Sequence, residues 1–432
     1  MHLALNFQKV DPTRGGAETY VVDLCHRLVK AGHRVDLFAE SWREGVLPRE
    51  VRCVAVAALG RNRWERLWSF ALNSEAALRE AAHDCTVGFI NTWHHDVIIP
   101  QGGVHRGSLE ANARRFPMAW QRGLYRLGKV ANPKHWVARA IERKQYDPDR
   151  QARVIAVSNM VKEHLTQYHH LPRSRIQVIP NAIDTDRLWV GHPGAVRCAF
   201  RNRLGLAPGD LVGLFVGHNY WLKGLKPLLR ALAERPRRDP RARPIHLVVC
   251  GGGSVGPFRR MAARLGLAET VHLIGYYPDI RAAYWSSDFF VQPTYYDPCS
   301  LVVLEALACG LPVITTSRNG AGELMTDGQE GYVITAPDAI GELSLALDHM
   351  TDDEARARMS AHAAGLGRAQ TLDNHVARLI KVFEDVAAHR ARRGPHVPRP
   401  AKTNARMIAQ GGGTARHAGN KTVRPTTRSS GS

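Results

Sequence analysis

Two carboxylates eight positions apart, Asp297 and Glu305, stand in the segment YYDPCSLVVLEALACGLPV. The first precedes a Pro-Cys-Ser turn, and the second interrupts an apolar run. Pro298 and Ser300 mark a helix start, where the N–H groups of Ser300, Leu301 and Val302 would form a positive end suited to a pyrophosphate. Ionised carboxylates accept hydrogen bonds from hydroxyls, often two vicinal ones at once. Asp297 and Glu305 could therefore grip a hexose and a ribose on either side of that pyrophosphate. The competing reading makes Asp297 a turn former and Glu305 a helix-surface residue. Leu301, Val302, Val303, Leu304, Ala306, Leu307 and Ala308 leave little polar face around Glu305, which favours the functional reading.

Three glycine-bearing loops offer anion contacts. In PTRGGAET, Gly15 and Gly16 let backbone N–H groups approach an anion at a helix start, although a plain tight turn explains them equally. After LVGLFVG, Lys223-Gly224 stands just before a helix, where the ammonium could reach a phosphate; a solvated loop Lys is the bland alternative. GGGSVG, residues 251–256, matches the G-x-G-x-x-G pattern after a strand. The acid expected about 20 residues later is absent, since Ile274-Gly275-Tyr276-Tyr277 lies there, so a tight turn is favoured over a dinucleotide fingerprint. D-x-D strings occur at Asp147 and Asp149, in a charged turn, and at Asp184 and Asp186, in a linking segment. Neither follows a strand that would carry a catalytic metal.

Residues of these kinds need strand ends to hold them. Short apolar runs alternate with helix-length segments along the chain. HLALNF, RVDLFA, VRCVAVA, CTVGFI, DVIIP, RVIAV and IQVIP predict strands, with helices over 17–30 and 64–81. After a break near 186–195 come LVGLFVG, IHLVVCG, VHLIG, DFFVQP and PVITT, with helices over 225–234, 258–265 and 300–309. This alternation predicts two doubly wound α/β domains facing across a cleft. The domains expected are 1–187, 188–370, a last helix over 371–389 crossing back to the first domain, and a basic disordered tail over 390–432.

A chain of 432 residues with 44% apolar content suits two globular cores. Its seven Cys are scattered singly, which predicts reduced thiols rather than disulfides or a zinc site. No signal peptide and no transmembrane run are expected, so the protein is expected to be cytoplasmic, or peripheral on a membrane. The net charge of +20 is uneven. The tail alone holds ten Lys/Arg and no acid, while residues 105–153 hold twelve Lys/Arg against four acids. The latter stretch suits an anionic partner or is a solvated face. Nucleic-acid binding would rest on the tail and is not favoured.

The pattern acid-P-x-S-L-V-x-L-E-A-x-A-x-G-L-P-V at 297–313, with the Gly15-Gly16 loop and Lys223-Gly224, resembles the retaining glycosyltransferases of family four. The resemblance covers about residues 1–388 and implies a GT-B fold of two Rossmann-like domains. Glu40-Ser41-Trp42, VGFIN and Tyr125-Arg126-Leu127 further resemble the branch that builds the lipopolysaccharide core with glucose. The resemblance implies that Glu305 is the ribose ligand and that Asp297, one methylene shorter than the usual Glu, contacts the donor sugar. It makes Ser300, Leu301 and Val302 backbone donors, Lys223 the diphosphate cation, and Gly15 and Gly16 the loop facing the pyrophosphate. His218 stands where many members carry Arg, so that contact is lost or becomes pH-dependent. His105, in IIPQGGVHRGS, matches a His near the reacting sugar. His94, His95 and Asp96 are expected to line the acceptor side.

These expectations amount to a retaining hexosyltransferase using a nucleotide-diphosphate sugar, UDP-glucose first, on an anionic or phosphorylated glycolipid. Metal is not expected, since Lys223, the Gly16 N–H and the Ser300 helix end would stabilise the leaving diphosphate. No residue is an obvious nucleophile, and retention would follow front-face attack. A UDP-sugar 2-epimerase of the same fold is the alternative.

Overall fold

Apolar strands that are buried on both faces must be covered by helices on both sides, and the chain does this twice. The computed structural model describes residues 1–393; most of the expected disordered tail lies outside the described residues. In the first half, β1 (His2–Asn6) and β2 (Lys9–Val10) precede α1 (Gly16–Lys30). β3 (Arg34–Ala39), β4 (Ser41–Trp42), β5 (Arg52–Ala55) and α2 (Arg63–Glu80) follow. β6 (Cys85–Gly88) and β7 (Val97–Ile98) lead to three successive helices, α3 (His105–Ala113), α4 (Ala119–Val130) and α5 (Pro133–Gln145). β8 (Arg153–Ala156), α6 (Asn159–His169) and β9 (Ile176–Val178) close this half.

The second half comprises α7 (Pro193–Arg203), β10 (Leu211–Val216), α8 (Leu225–Arg238), β11 (Ile245–Cys250), α9 (Gly256–Arg264) and β12 (Val271–Gly275). It continues with α10 (Ile280–Ser286), β13 (Phe289–Val291), α11 (Leu301–Ala308), β14 (Val313–Thr316), β15 (Gly331–Ile334), α12 (Ile340–His349) and α13 (Asp353–Ala369). A last helix, α14, spans Leu372–Arg393. β15 was not expected from the sequence, because GYVI is short and opens on a glycine. Gly331 takes φ 134°, and a Cβ there would lie 2.0 Å from the Val313 carbonyl oxygen.

The first sheet has the order β5-β3-β1-β6-β7-β8-β9 and the second β12-β11-β10-β13-β14-β15, with every neighbouring pair in them parallel. Strand order reverses beside β1 in one sheet and beside β10 in the other. Ligands of such sheets bind beyond the strand C-termini at these switch points. The loops after β1, β10 and β13 carry the residues singled out from the sequence.

The last helix returns to the first half. His375 meets the Tyr20 hydroxyl at 2.8 Å, Arg27 pairs with Asp373 at 2.7 Å, and Leu379 and Phe383 are fully buried. All seven cysteines are free thiols. Among the described residues no helix is long and apolar enough to cross a membrane.

Candidate active site

Gly224 decides where Lys223 goes. It adopts φ 83°, and a Cβ there would sit 1.8 Å from the Pro293 carbonyl oxygen, so only glycine lets the loop after β10 lie against the loop after β13. The Tyr295 N–H donates to the Leu222 carbonyl at 2.9 Å and locks the two loops together. Lys223 Nζ thereby reaches the Asp297 carboxylate as a close, largely buried ion pair.

The start of α11 is set by buried amides. Gln292 Nε2 donates to the Val216 carbonyl at 2.8 Å, and its Oε1 accepts from the Ser300 hydroxyl at 3.1 Å. The Ser300 N–H donates to Asn319 Oδ1 at 3.3 Å. Ser300 is buried with both polar groups engaged inside the protein, which corrects the expectation that it supplies a free donor. The N–H groups of Leu301 and Val302, in the first turn of α11, have no acceptor among the described residues. They lie opposite the start of α1: a Cβ on Gly16 would be 3.3 Å from Leu301 Cδ1. Two helix N-termini from different domains thus converge on one spot, with Gly15 capping α1.

Glu305, on the second turn of α11, accepts a hydrogen bond from the Tyr284 hydroxyl at 2.8 Å on one oxygen. Burial raises its carboxyl pKa, opposed by the Tyr284 bond and by the nearby Arg187. Asp23, which also faces it, is bonded to Arg187 at 2.8 Å. His218 is exposed on the loop after β10 and lies electrostatically beside Glu18 of α1. Burial raises the Glu18 carboxyl pKa, against a favourable contribution from His218. Gly251, Gly252 and Gly253 are packing residues: Cβ atoms there would meet the Gly217 carbonyl, the His218 ring and the Tyr220 ring.

On the first domain, a cleft of about 600 Å³ opens beside His105. His105 Nε2 lies 2.9 Å from His135 Nδ1, and its backbone N–H donates to Glu142 at 2.8 Å. Burial lowers the His105 pKa, with Glu142 opposing and Lys134, Arg139 and Lys129 adding to the shift. Tyr296, from the second domain, accepts the Val104 N–H on its hydroxyl at 3.1 Å and so fixes the start of α3. Lys9 and Arg66 in the cleft are paired with Glu40. Arg63 and Lys134 face it without an ion-pair partner among the described residues. Lys134 is lowered by burial first and then by Arg63 and Lys129.

His94, His95 and Asp96 lie apart from that cleft. His94 and His95 line a small separate recess with Trp93 and Arg150. His95 bonds Thr92 and is pushed down to about 3 by burial, with His94 and Arg150 adding. The Asp96 carboxylate accepts the Thr86 amide and hydroxyl, each at 2.9 Å, and ties β6 to β7. Of the D-x-D residues, Asp147 accepts the Asp149 N–H and Asp184 pairs with Arg27.

Sequence reasoning missed Tyr284, Gln292, Asn319, Tyr296, Glu18, His135, Glu142, Arg63 and Lys134. Tyr296 and Glu18 sit inside segments that had been singled out. Lys134, His135 and Glu142 fall in the basic stretch 105–153, while Tyr284, Gln292, Asn319 and Arg63 are single polar residues brought in by the tertiary fold.

Residues 14–187 match the family described as Glycosyltransferase Family 4, and residues 196–365 match Glycosyl transferases group 1. This chain belongs to that group 1/family 4 glycosyltransferase family. The epimerase alternative is thereby set aside. The D-inositol 3-phosphate glycosyltransferase 2 of Catenulispora acidiphila is 29% identical over 409 residues, covering 88% of this chain and 92% of its own. The lipopolysaccharide glucosyltransferase WaaG of Escherichia coli is 24% identical over 323 residues, covering 75% and 82%. A crystal structure of WaaG matches this glycosyltransferase with TM-score 0.73 at 22% identity, over 88% and 99% of the two chains. Anabaena HepE in complex with UDP and glucose gives TM-score 0.62 at 18% identity, over 89% and 99%. These likenesses identify the two Rossmann-like domains as a GT-B fold.

Proposed function

We propose that this glycosyltransferase transfers a hexose, glucose first, from a UDP-sugar to an anionic or phosphorylated glycolipid with retention of configuration. Its place would be lipopolysaccharide or other cell-envelope glycan assembly, at the cytoplasmic face of the membrane. The observation that carries this reading is the convergence of the α1 and α11 N-termini across the domain boundary, with Glu305 on the second turn of α11. The relatives named for lipopolysaccharide glucosylation and for inositol 3-phosphate support the sugar and the anionic acceptor.

In this reading the Gly16, Leu301 and Val302 N–H groups and Lys223 hold the diphosphate, and they stabilise its growing charge as it leaves without a metal. Lys223 exchanges Asp297 for the diphosphate, and the freed Asp297 carboxylate accepts from a hydroxyl of the donor sugar. Glu305, steadied by Tyr284, takes the ribose hydroxyls. His218 contributes a cation to the diphosphate only when protonated. His105 faces the reacting sugar, and the acceptor hydroxyl attacks on the face the diphosphate leaves. Screening nucleotide-sugars by thermal shift and slow donor hydrolysis tests this. UDP-glucose is expected to raise the midpoint and to be hydrolysed; silence of every nucleotide-sugar would sink the reading.

Membrane contact is supported by α4, which buries none of its residues. Trp120, Leu124 and Leu127 are exposed by 63–68% at helical spacing, with Arg122, Arg126 and Lys129 on the same helix. An apolar stripe flanked by cations suits the interface of an anionic bilayer. Loss of binding to anionic liposomes in Trp120→Ser/Leu124→Ser is the expected outcome.

A further inference from the structure

Away from the cleft, where the strands begin rather than end, His2 opens β1, Asp36 lies within β3 and His83 joins α2 to β6. His2 Nε2 and His83 Nε2 stand 3.1 and 3.0 Å from the same Asp36 oxygen, Oδ2. One potential ligand atom from each residue lies within 4.8 Å of the others. The two imidazole rings are 4.4 Å apart between centroids. The Asp36 and His83 side chains are each 1% exposed and His2 is 25% exposed.

A hydrogen-bonded His–Asp–His group would be ordinary if it satisfied its own atoms. Here it does not. Asp36 Oδ1 is buried and has no hydrogen-bond partner. An orphaned carboxylate oxygen in a buried cluster is costly unless something satisfies it.

We propose that His2, Asp36 and His83 form a structural site for a divalent transition metal, zinc by its ligand chemistry, with water completing the tetrahedron. Two imidazoles and one carboxylate are a donor set that zinc accepts, at spacings close to those of tetrahedral ligands. The ion would staple β1, β3 and the α2–β6 link, at the opposite end of the first sheet from the transfer site. Arg52 approaches the same Asp36 oxygen at 3.5 Å with a 60% exposed side chain. It competes with the metal from the solvent side.

The test uses the full, tag-free chain stripped with chelator and titrated with Zn²⁺, then with Co²⁺ as a visible-spectrum probe. One Zn²⁺ per chain, Co²⁺ absorption typical of tetrahedral N/O ligation, and a raised thermal midpoint are expected. All three should be lost in His83→Asn and in the milder His2→Asn. His2→Asn alters a partly exposed residue and keeps the protein testable if His83→Asn fails to fold. Absence of stoichiometric metal, or metal binding unchanged in His2→Asn, overturns the proposal. Neither outcome depends on the transferase activity.

Discussion

Lys223 and Asp297, 74 positions apart, form an ion pair at the mouths of β10 and β13. The two loops carrying them are held together by Gly224 and the Tyr295–Leu222 hydrogen bond. Both side chains are at most 20% exposed, so removing one leaves the other buried and unpaired. Lys223→Ala is expected to abolish transfer and to lower stability by about 1–3 kcal/mol. Adding Asp297→Ala should restore part of that stability and none of the activity. Thermal melts and a transfer assay on the two single variants and the double variant check this.

Glu305→Gln separates binding from stability. Because burial raises the Glu305 carboxyl, the folded apo protein holds its proton more tightly than the unfolded chain does, and ionisation costs stability as pH rises. The neutral amide is therefore expected to raise the apo melting point near neutral pH. It should also weaken nucleotide binding by about 10- to 100-fold, through lost charge-assisted hydrogen bonds. In the parent, affinity should fall with pH through a range above that of an ordinary Glu. Calorimetric titration with UDP across pH reads both effects.

His105 and His135 share a hydrogen bond, and burial lowers both, His135 to about 4. The neutral form of His105 should persist below its ordinary range, so the acid limb of kcat/KM that His105 sets should fall below pH 6.5. His105→Ala is expected to cost about 10²–10⁴-fold in rate. Lys134→Gln, which removes a charge that lowers His105, should shift the acid limb back toward neutrality. A pH–rate profile of the two variants decides it.

His375 is buried against Tyr20 and lowered to about 4. A histidine with a lowered folded pKa leaves stability intact above its unfolded value, near 6.5, and removes it as pH falls from there toward 4. The loss from His375 is at most about 3 kcal/mol. Urea melts should show stability falling over that window, and His375→Gln should flatten the slope.

Arg63 and Lys134 face the first-domain cleft without ion-pair partners among the described residues, and Arg63 adds to the lowering that burial imposes on the Lys134 pKa. Arg63→Gln/Lys134→Gln should raise KM for a phosphorylated acceptor by about 10- to 100-fold. Donor hydrolysis without acceptor should be unchanged. Steady-state kinetics on acceptors with and without the phosphate test this.

The strand and helix alternation, both switch-point loops and the 297–313 segment were legible in the sequence, because apolar periodicity and helix-start chemistry are local properties. RVDLFA became β3 over its full length, and IHLVVC became β11. Ser300 was visible as a helix start, but whether its N–H was free depended on Asn319, nineteen residues away. His95 and Asp96 looked like cleft residues, and only the packing of β6 against β7 turned them inward. The approach of Gly16 to Leu301, the Lys223–Asp297 pair, and the meeting of His2, Asp36 and His83 are contacts between distant segments. Side-chain type at each position is written in the chain. Which polar atoms find partners, and which are left facing a cleft, is settled only when two separately formed sheets and the returning α14 pack together.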